Sequence, residues 1–297
     1  MIQKIDELFG RQMRTWPQLA EGVAGLKRAK TRAVQIDWFT VFIRHIPHRM
    51  ASTTASVDRE SIARRPCFLC AGNLPAEEEG VRFDDDFTIY CNPLPIVDKH
   101  LTIVHREHIM QHIANRFGDI LDLAAALPGY FLIYNGPECG ASAPDHLHFQ
   151  AGSRRLFPIE RDTAGITGIS VPGYGRNAFL LRGRDRSALN DRMERILELL
   201  AETVGRRGEP MINLAVFHER GEWVSYLFPR DKHRPQVFHN GELTVSPASI
   251  DLCGIFVVPV AEDFEKITGD AISAIFREIT LPDAQFQEVA QQLESER

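Results

Sequence analysis

The stretch that most limits how this chain can fold is GASAPDHLHFQAG, residues 140–152. It places His146, His148 and Gln150 two residues apart, which is the spacing of side chains on one face of a β-strand. The apolar residues between them then face the opposite side and can pack on a core. A strand that aligns two imidazoles and an amide indicates a functional site, whereas a single strand histidine is more often a packed or surface residue.

Composition and charge disfavour two broad classes of protein. Of the 297 residues, 44% are hydrophobic and 25% are charged, which is typical of a globular protein with a substantial core. The formal net charge of -6 disfavours nucleic acid as the main partner, and no apolar run reaches the ~18–20 residues of a membrane span. The amino-terminal segment is charged and amphipathic without an apolar signal region, so we expect a cytoplasmic protein with reduced cysteines.

The order of helical and strand patterns predicts an α+β fold in two halves. Residues 1–160 and 161–297 each carry strands and a long helical pattern, and a run rich in Gly, Pro and Thr at 160–178 separates them. The spacing of apolar residues predicts helices over 1–30, 106–127, 186–207 and 261–280. Strand patterns cover 33–46, 87–92, 100–105, 129–136, 211–221, 222–230 and 251–260, with a hairpin turn around Gly221.

A second pattern, RPCFLC, places Cys67 and Cys70 at the spacing of a zinc knuckle. Two cysteines supply half of a tetrahedral site, and His146 is a candidate for a third ligand. A fourth could come from the nearby histidine-rich segment, which contains His105, His108 and His112. The alternative is a thioredoxin-type redox pair, which would open a helix after a strand. The prolines and glycines around the cysteines favour the metal site.

The segments YCNPLPIVDKHLTIVHREHIMQ and FLIYNGPECGASAPDHLHFQ together carry a longer pattern, with Asn-x-x-Pro, Asn-x-Gly, Gly-x-Ser-x-Pro and His-x-His-x-Gln in that order. In order and spacing this resembles the galactose-1-phosphate uridylyltransferase branch of the histidine-triad (HIT-like) superfamily. That branch includes diadenosine tetraphosphate phosphorylases and GDP-hexose phosphorylases. The resemblance is good over residues 67–152 and continues more thinly in SYLFPRDKHRP and GIFVVPVAEDFEKIT. It implies a HIT-like fold of antiparallel sheets and packed helices, with two such halves in one chain.

The resemblance implies a role for each residue that matches the family pattern. His148 corresponds to the histidine nucleophile, and Gln150 to the glutamine that donates to the phosphate under attack. Ser142 matches a serine that contacts a phosphate oxygen, and Asn135 lies where the family has a nucleotide-site asparagine. Gly140 allows backbone amides to approach the phosphates. These residues together are the predicted substrate site.

In the uridylyltransferases a zinc ion lies beside the nucleophile, and the resemblance extends to its ligands. The implied ligands of Zn²⁺ are Cys67, Cys70, His146 and His108, the last of which would open the intervening helix. A closed site of this kind has no open position for water, so we expect a structural ion that fixes the nucleophile strand. This chain has one residue more than the usual family spacing before the second histidine, and Asp145 is the extra residue.

The implied reaction is nucleotidyl transfer through a covalent histidine intermediate. A neutral imidazole attacks a nucleoside diphosphate sugar or a dinucleoside polyphosphate, and phosphate or a sugar phosphate then accepts the nucleotide. The PRDK sequence resembles a carboxy-terminal basic motif of the phosphorylases, so we expect Arg230 and Lys232 to bind substrate phosphate. The polar connection 47–66 offers further donors, which include Arg49, Ser52 and Arg65.

Two alternatives stay open at the level of sequence. Water could resolve the intermediate, which would make the protein a nucleotide hydrolase, or the chain could be a non-catalytic, zinc-stabilised module that binds nucleotides. The presence of both His148 and Gln150 favours an enzyme, because a binding module needs no nucleophile. The sequence does not indicate the base, the sugar or the acceptor, and it is compatible with a homodimer.

Overall fold

The computed structural model describes residues 1–206 and 208–296. Its strands are β1 Lys30–Ile36, β2 Phe39–His45, β3 Gly80–Arg82, β4 Phe87–Cys91, β5 Leu101–His105, β6 Tyr130–Asn135, β7 His148–Ser153, β8 Phe179–Gly183, β9 Ile212–Glu219, β10 Glu222–Pro229 and β11 Ile255–Val258. Its helices are α1 Ile2–Thr15, α2 Pro17–Lys27, α3 Met50–Thr53, α4 Arg59–Arg64, α5 Phe117–Ala126, α6 Pro158–Asp162, α7 Arg186–Val204, α8 Gln236–His239, α9 Ser249–Leu252, α10 Ala261–Lys266, α11 Gly269–Ile279 and α12 Asp283–Ser295. This mixture is the predicted α+β class.

An antiparallel sheet of eight strands, in the order β3-β4-β5-β7-β6-β9-β10-β8, runs through both halves of the sequence. Strand β7 lies between β5 and β6, and β6 pairs with β9 to join the halves into one continuous sheet. The hairpin between β9 and β10 turns at Arg220 and Gly221, which both have positive φ, as the predicted turn requires. The division into domains at residues 160 and 161 stays a prediction.

One face of this sheet is covered along its whole width, and the other is not. Helices α5, α7 and α12 pack on the first face over the side chains that alternate inward, such as Ile103, Phe149 and Leu214. On the second face a separate core covers β6, β9 and β10 but leaves β4, β5 and β7 open. Because strand side chains alternate, Val104 and His148 point into the resulting cleft.

The second core forms around a small sheet of order β1-β2-β11, in which β11 pairs parallel with β2. The single strand predicted over 33–46 is wrong, because the chain reverses at Asp37, which has a φ of 52°, and forms a β1-β2 hairpin. The single helix predicted over 1–30 is also wrong, because the chain forms two helices, α1 and α2, that are separated at Trp16. Trp16 has extended backbone before Pro17, and a residue before proline is sterically biased away from helix.

The helix predicted over 106–127 is wrong in its first half, because the observed helix α5 covers only Phe117–Ala126. Only α5 is helical, and residues 106–116 form an irregular segment that crosses the beginning of β7. Two tertiary interactions outweigh helical propensity there. Leu147 N–H donates to Ile109 O at 2.7 Å, and the Glu209 carboxylate accepts the Ile113 and Ala114 N–H groups.

The long helix of the second half was predicted over 186–207, and α7 confirms it from Arg186 to Val204. The helix ends at Gly205, whose φ of 60° is left-handed, while Arg207 lies outside the described residues. Among the described helices, none combines the length and apolar character needed to cross a membrane.

Candidate active site and metal centre

The open part of the large sheet forms the floor of a cleft with a volume of about 460 Å³. The size falls within the usual range for small-molecule sites. His148 and Gln150 of β7 lie at one end beside Ser142, and the opposite end is largely apolar. Strand register places Thr102 opposite Gln150 on β5, so the cleft runs across the strands. The predicted nucleophile and its glutamine therefore line the same cleft.

The His148 ring is held in one tautomer. Its Nδ1 lies 2.8 Å from the His146 carbonyl oxygen, and because a carbonyl can only accept, Nδ1 carries the proton. The lone pair is then on Nε2, and the residue lines the cleft. Burial lowers the pKa of His148 to about 4, and the hydrogen bond to His146 opposes this shift. The ring is neutral and has the protonation of a nucleophile.

A buried glutamine that the sequence interpretation missed supports the backbone of His148. The Gln111 amide accepts the His148 N–H at 2.8 Å and donates to the carbonyls of Asn135 and His148 at 2.8 and 3.1 Å. Strands β6 and β7 are paired only as far as Ile133 and Gln150, so this side chain bridges the gap beyond the last pair. Sequence alone did not indicate a role for Gln111, because residues 106–116 were predicted to be helical and the side-chain hydrogen bonds of Gln111 are with residues far away in sequence.

Gln150 is oriented by another histidine that the sequence interpretation did not select. His100 Nδ1 accepts the Ile96 N–H at 3.2 Å, which leaves Nε2 as the donor to Gln150 Oε1 at 2.8 Å. Burial lowers the pKa of His100 to about 3, so the ring is neutral. With its oxygen occupied, Gln150 presents its NH₂ group to the cleft as a donor. The sequence feature that could have indicated this role is the position of His100 at the start of the HLTIVH strand pattern.

Of the other predicted substrate residues, Ser142 lines the cleft, whereas Asn135 and Gly140 line a smaller cavity beside it. Asn135 is buried, and its Oδ1 accepts from Asn213 Nδ2 and from the Ser249 N–H. Gly140 has a φ of 110°, and a Cβ there would lie 2.5 Å from the Cβ of Ala248. Only glycine fits this turn, which brings the loop after β6 against the second half of the chain.

The four predicted metal ligands lie together, and all of their ligand atoms are within 4.8 Å of one another. His146 Nδ1 is 3.3 Å from Cys67 Sγ and 3.6 Å from Cys70 Sγ, and His108 Nδ1 is 3.1 Å from Cys70 Sγ. Tetrahedral zinc with ordinary Zn–S and Zn–N bond lengths places its ligand atoms about 3.3–3.8 Å apart. The residues present therefore fit a metal ion.

The neighbours of these ligands fit a metal ion as well. His146 donates its Nε2 hydrogen to His105 O at 2.7 Å, which leaves Nδ1 unprotonated toward the cysteines. The extra residue, Asp145, lies 3.8 Å from His108 Nε2 and accepts from Arg65 at 3.2 Å. A carboxylate behind a ligating histidine is common in metal sites because it orients the ring and raises its basicity.

The structure does not bring Arg230 and Lys232 to the cleft. Arg230 is buried, and its guanidinium donates to the carbonyls of Ile279, Pro247, Lys232 and His233 and to Asn213 Oδ1. Lys232 forms a surface ion pair with Glu278 at 3.0 Å. These contacts give both residues a structural explanation. A basic motif alone does not reveal which cations are already satisfied within the fold.

Different cations line the site. Arg49 lies where the cleft meets a second, smaller cavity, and Arg234 lines that smaller cavity. The connection 47–66, which the sequence analysis singled out, contributes Arg49 and Ser52 to both. Arg65 lies at the rim of the cleft, 4.8 Å from the centre of the Phe68 ring.

Two families match the chain in succession. Residues 8–153 match the family described as Domain of unknown function (DUF4922), and residues 154–296 match the family described as GDPGP1-like, C-terminal domain. Among curated protein sequences the chain has no significant match.

In contrast to the sequence comparison, the comparison with solved structures finds proteins of similar fold. Yeast Ap4A phosphorylase Apa2 has a TM-score of 0.61 at 15% identity, over 90% of this chain and 97% of that chain. The same enzyme in complex with AMP has a TM-score of 0.57 at 15% identity, over 90% and 96% of the two chains. An ADP-glucose phosphorylase from Arabidopsis thaliana with bound ADP-glucose has a TM-score of 0.35 at 14% identity, over 85% and 100%. The likeness to Apa2 confirms the predicted HIT-like α+β fold.

We expect the purified chain to contain about one zinc ion, because two thiolates and two histidines suit that metal. Metal analysis after gel filtration measures the content, and Cys70→Ala should reduce it to less than about a tenth of an equivalent by removing one ligand of a closed site. Cys139→Ser is the matched control, since within the described part of the chain that buried thiol donates only to Ile212 O and lies outside the metal cluster. Zinc-free wild-type protein would contradict the assignment of the metal.

Replacing His100 by alanine should lower turnover about 10- to 100-fold, because the Gln150 amide loses the partner that orients it. Gln150→Ala should cost about 100- to 1,000-fold, the usual effect of losing a donor to a developing charge. In the double variant the two losses should not add, since His100 acts only through Gln150. Steady-state kinetics of the four proteins test this, and additive losses would show that His100 acts by another route.

Arg230→Met should lower the free energy of unfolding by about 3 kcal/mol, because several buried acceptors lose their donor. Lys232→Met removes an exposed ion pair and should change it by about 0.5 kcal/mol, with KM unchanged. Denaturant unfolding and KM measurements separate the two effects. A large rise in KM for Lys232→Met at unchanged stability would restore the substrate role predicted from the sequence.

Proposed function

We propose that this chain catalyses nucleotidyl transfer with His148 as the nucleophile. The predicted resemblance to the uridylyltransferase and phosphorylase branch of the histidine-triad superfamily is confirmed by the family match of residues 154–296 and by the fold. The observation that carries the proposal is the neutral His148 ring, fixed by the His146 carbonyl with its Nε2 lone pair in the cleft. Gln150, the second residue of the proposal, lies beside it with its NH₂ group available.

The chemistry requires a phosphoanhydride substrate. Nε2 of His148 attacks the α-phosphorus, a P–N bond forms, and the P–O bond to the leaving phosphate breaks. Negative charge on the phosphoryl oxygens is met by the neutral donors of Gln150 and Ser142, which are in place before the reaction. An acceptor then cleaves the P–N bond and releases the nucleotide. Both half-reactions use the same two donors.

The shape of the cleft supports a nucleotide as the transferred group. Beyond Thr102 its walls are mainly apolar, with the side chains of Phe68, Leu74 and Tyr90. Tyr90 lies on β4, two strands from Gln150, which is about 10 Å at the usual strand spacing. An aromatic base stacks well on such walls, while its phosphate reaches the histidine. Yeast Apa2, whose fold the chain shares, has been solved with Ap4A and with AMP.

Zinc bound by Cys67, Cys70, His108 and His146 would supply rigidity to this site, since all four positions for ligands are filled by protein atoms. The His146 side chain would be held by the ion while its carbonyl holds His148. The tautomer of His148 thus depends on His146, whose own side chain the metal would hold in place. The metal would make no contact with substrate.

The covalent intermediate gives a direct test. Incubation with nucleoside diphosphate sugars and dinucleoside polyphosphates, without acceptor, should add the mass of one nucleoside monophosphate to the protein. Mass spectrometry at neutral pH avoids acid cleavage of the P–N bond. The adduct should be absent in His148→Asn and present in His239→Asn, a matched change at an exposed histidine with no role in the cleft.

The outcomes separate the three activities considered above. An adduct that persists until an acceptor is added supports a transferase or phosphorylase. Turnover to nucleoside monophosphate in the absence of any acceptor identifies a hydrolase. Binding of nucleotides without adduct or turnover would identify a non-catalytic module and would contradict the proposal.

A further inference from the structure

The loop between β6 and β7 carries both Ser142 and the extra residue, Asp145. Ser142 lines the cleft beside His148 and Gln150, and its hydroxyl is one of the donors proposed for the phosphoryl oxygens. A loop that is longer by one residue has more conformations available to it. The position of the Ser142 hydroxyl therefore depends on what the loop contacts.

Arg65, directly after α4, contacts this loop at two points. Its Nη2 donates to the Ser142 carbonyl oxygen at 3.2 Å and to Asp145 Oδ1 at 3.2 Å, so one nitrogen connects the two residues. Both side chains are partly buried, with 26% of Arg65 and 16% of Asp145 exposed, so solvent screens this ion pair less than a surface pair. The guanidinium thus ties the backbone at Ser142 to a carboxylate three residues later.

Two further contacts connect this ion pair to the candidate metal centre. The guanidinium carbon of Arg65 lies 4.8 Å from the centre of the Phe68 ring, which stands between the two cysteines of the cluster. Asp145 Oδ2 lies 3.8 Å from His108 Nε2, on the opposite side of the cluster. The Arg65–Asp145 pair is therefore anchored on a compact part of the fold.

Backbone hydrogen bonds hold the end of the same loop. The Gln111 N–H donates to Pro144 O at 3.3 Å, and the Leu147 N–H donates to Ile109 O at 2.7 Å. These bonds hold the residues that lead into β7. Arg65 contacts the loop earlier, at Ser142 itself, so the two sets of contacts hold different parts of it.

We propose that Arg65 and Asp145 are positioning residues, whose ion pair holds the Ser142 backbone so that the hydroxyl faces the phosphoryl group under attack. This role depends on the nucleotidyl transfer proposed above. It explains how a chain with an extra residue keeps Ser142 beside the nucleophile. Because Arg65 acts through Ser142, its loss should slow the reaction only while the Ser142 hydroxyl is present.

A cation at the rim of the cleft could instead contact a substrate phosphate directly. The contacts of Arg65 favour the positioning role. Its Nη2 already has two acceptors within the protein, and the Asp145 carboxylate offsets its charge. A direct contact would require Arg65 to bind phosphate with donors other than those that hold the loop.

The first test follows formation of the nucleotidyl-enzyme after rapid mixing with saturating substrate. Ser142→Ala should slow this step about 100-fold by removing a donor, and Arg65→Gln about 10-fold by displacing that donor. The double variant should be within about twofold of Ser142→Ala. Arg64→Gln, at the neighbouring position, is the matched control, since its exposed side chain pairs with Glu60 on the same helix and should react at the wild-type rate.

Asp145→Asn tests the other half of the pair. The asparagine keeps an oxygen for Arg65 but loses the charge, so adduct formation should slow about threefold, less than in Arg65→Gln. Metal analysis of each variant separates positioning from loss of the metal, because Asp145 also lies near His108. Arg65→Gln should retain the wild-type zinc content. A fall in zinc that parallels its loss of rate would show that Arg65 acts through the metal centre, which would overturn the positioning role.

Hydrogen exchange tests the same contact without any activity. Peptides that cover residues 140–147 should exchange about tenfold faster in Arg65→Gln than in the wild type and in Arg64→Gln, because the loop loses its attachment at Ser142. Peptides from β5 and β6 should exchange as in the wild type. Unchanged exchange over 140–147 would show that Arg65 does not hold the loop.

The outcomes distinguish failure of this inference from failure of the proposed function. If the wild type forms no adduct, the nucleotidyl transfer fails, and hydrogen exchange alone decides whether Arg65 holds the loop. If the adduct forms and the losses in Arg65→Gln and Ser142→Ala multiply, Arg65 acts independently of Ser142 and the positioning role is wrong. A rise in KM for Arg65→Gln with an unchanged rate at saturation would indicate direct substrate binding and would equally overturn it.

Discussion

The geometry of the site depends on how the beginning of β7, at His148, is held where β6 and β7 separate. Strands β6 and β7 stop pairing at the level of Gln150, and the Gln111 side chain then supplies the donor and acceptor that a paired strand would have supplied. This leaves the His148 backbone satisfied although its strand has no partner on that side. The separation makes room for the loop of small residues that carries Ser142. A normal ladder at this point would close the cleft.

The groups next to His148 are neutral, and charged groups line the smaller cavity beside the cleft. His148, the proposed nucleophile, and the donors next to it come from residues before 153, and the low pKa values of His100 and His148 keep both rings uncharged. Several of the charged groups of the smaller cavity, including Arg234 and Asp251, come from the second half. Arg49 from the first half and Arg234 from the second therefore both bring positive charge to the smaller cavity.

Much of the fold was predictable because it depends on local pattern. The alternation in HLHFQ identified β7, although the strand begins at His148 and leaves His146 in the loop before it, and the turn at Gly221 identified the β9-β10 hairpin. The predictions failed where contacts between distant residues decide the structure. Apolar spacing at 106–116 suggests a helix, but hydrogen bonds to Glu209 and to Leu147, just before β7, hold this segment in an irregular form. Sequence alone shows neither partner.

The same distinction applies to the site. The short, chemically specific motifs brought out Cys67, Cys70 and His146 as candidate metal ligands, and the family resemblance selected His108; the structure brings all four together. It did not bring out Gln111 or His100, since single polar residues within apolar runs look like many others. It also favoured Arg230 over Arg49. The difference between these arginines is whether the fold already supplies acceptors for their guanidinium groups, which depends on residues far away in sequence.

The joint between β6 and β9 has a consequence for any attempt to divide the protein. Each of these strands forms hydrogen bonds with the other across the boundary between the two matched families, Leu132 opposite Val216 and Asn135 opposite Asn213. A fragment cut near residue 153 would expose a long, apolar, unpaired strand edge, which is a template for association with other copies. Separately produced halves should aggregate unless they are made together, when each could cover the other's edge.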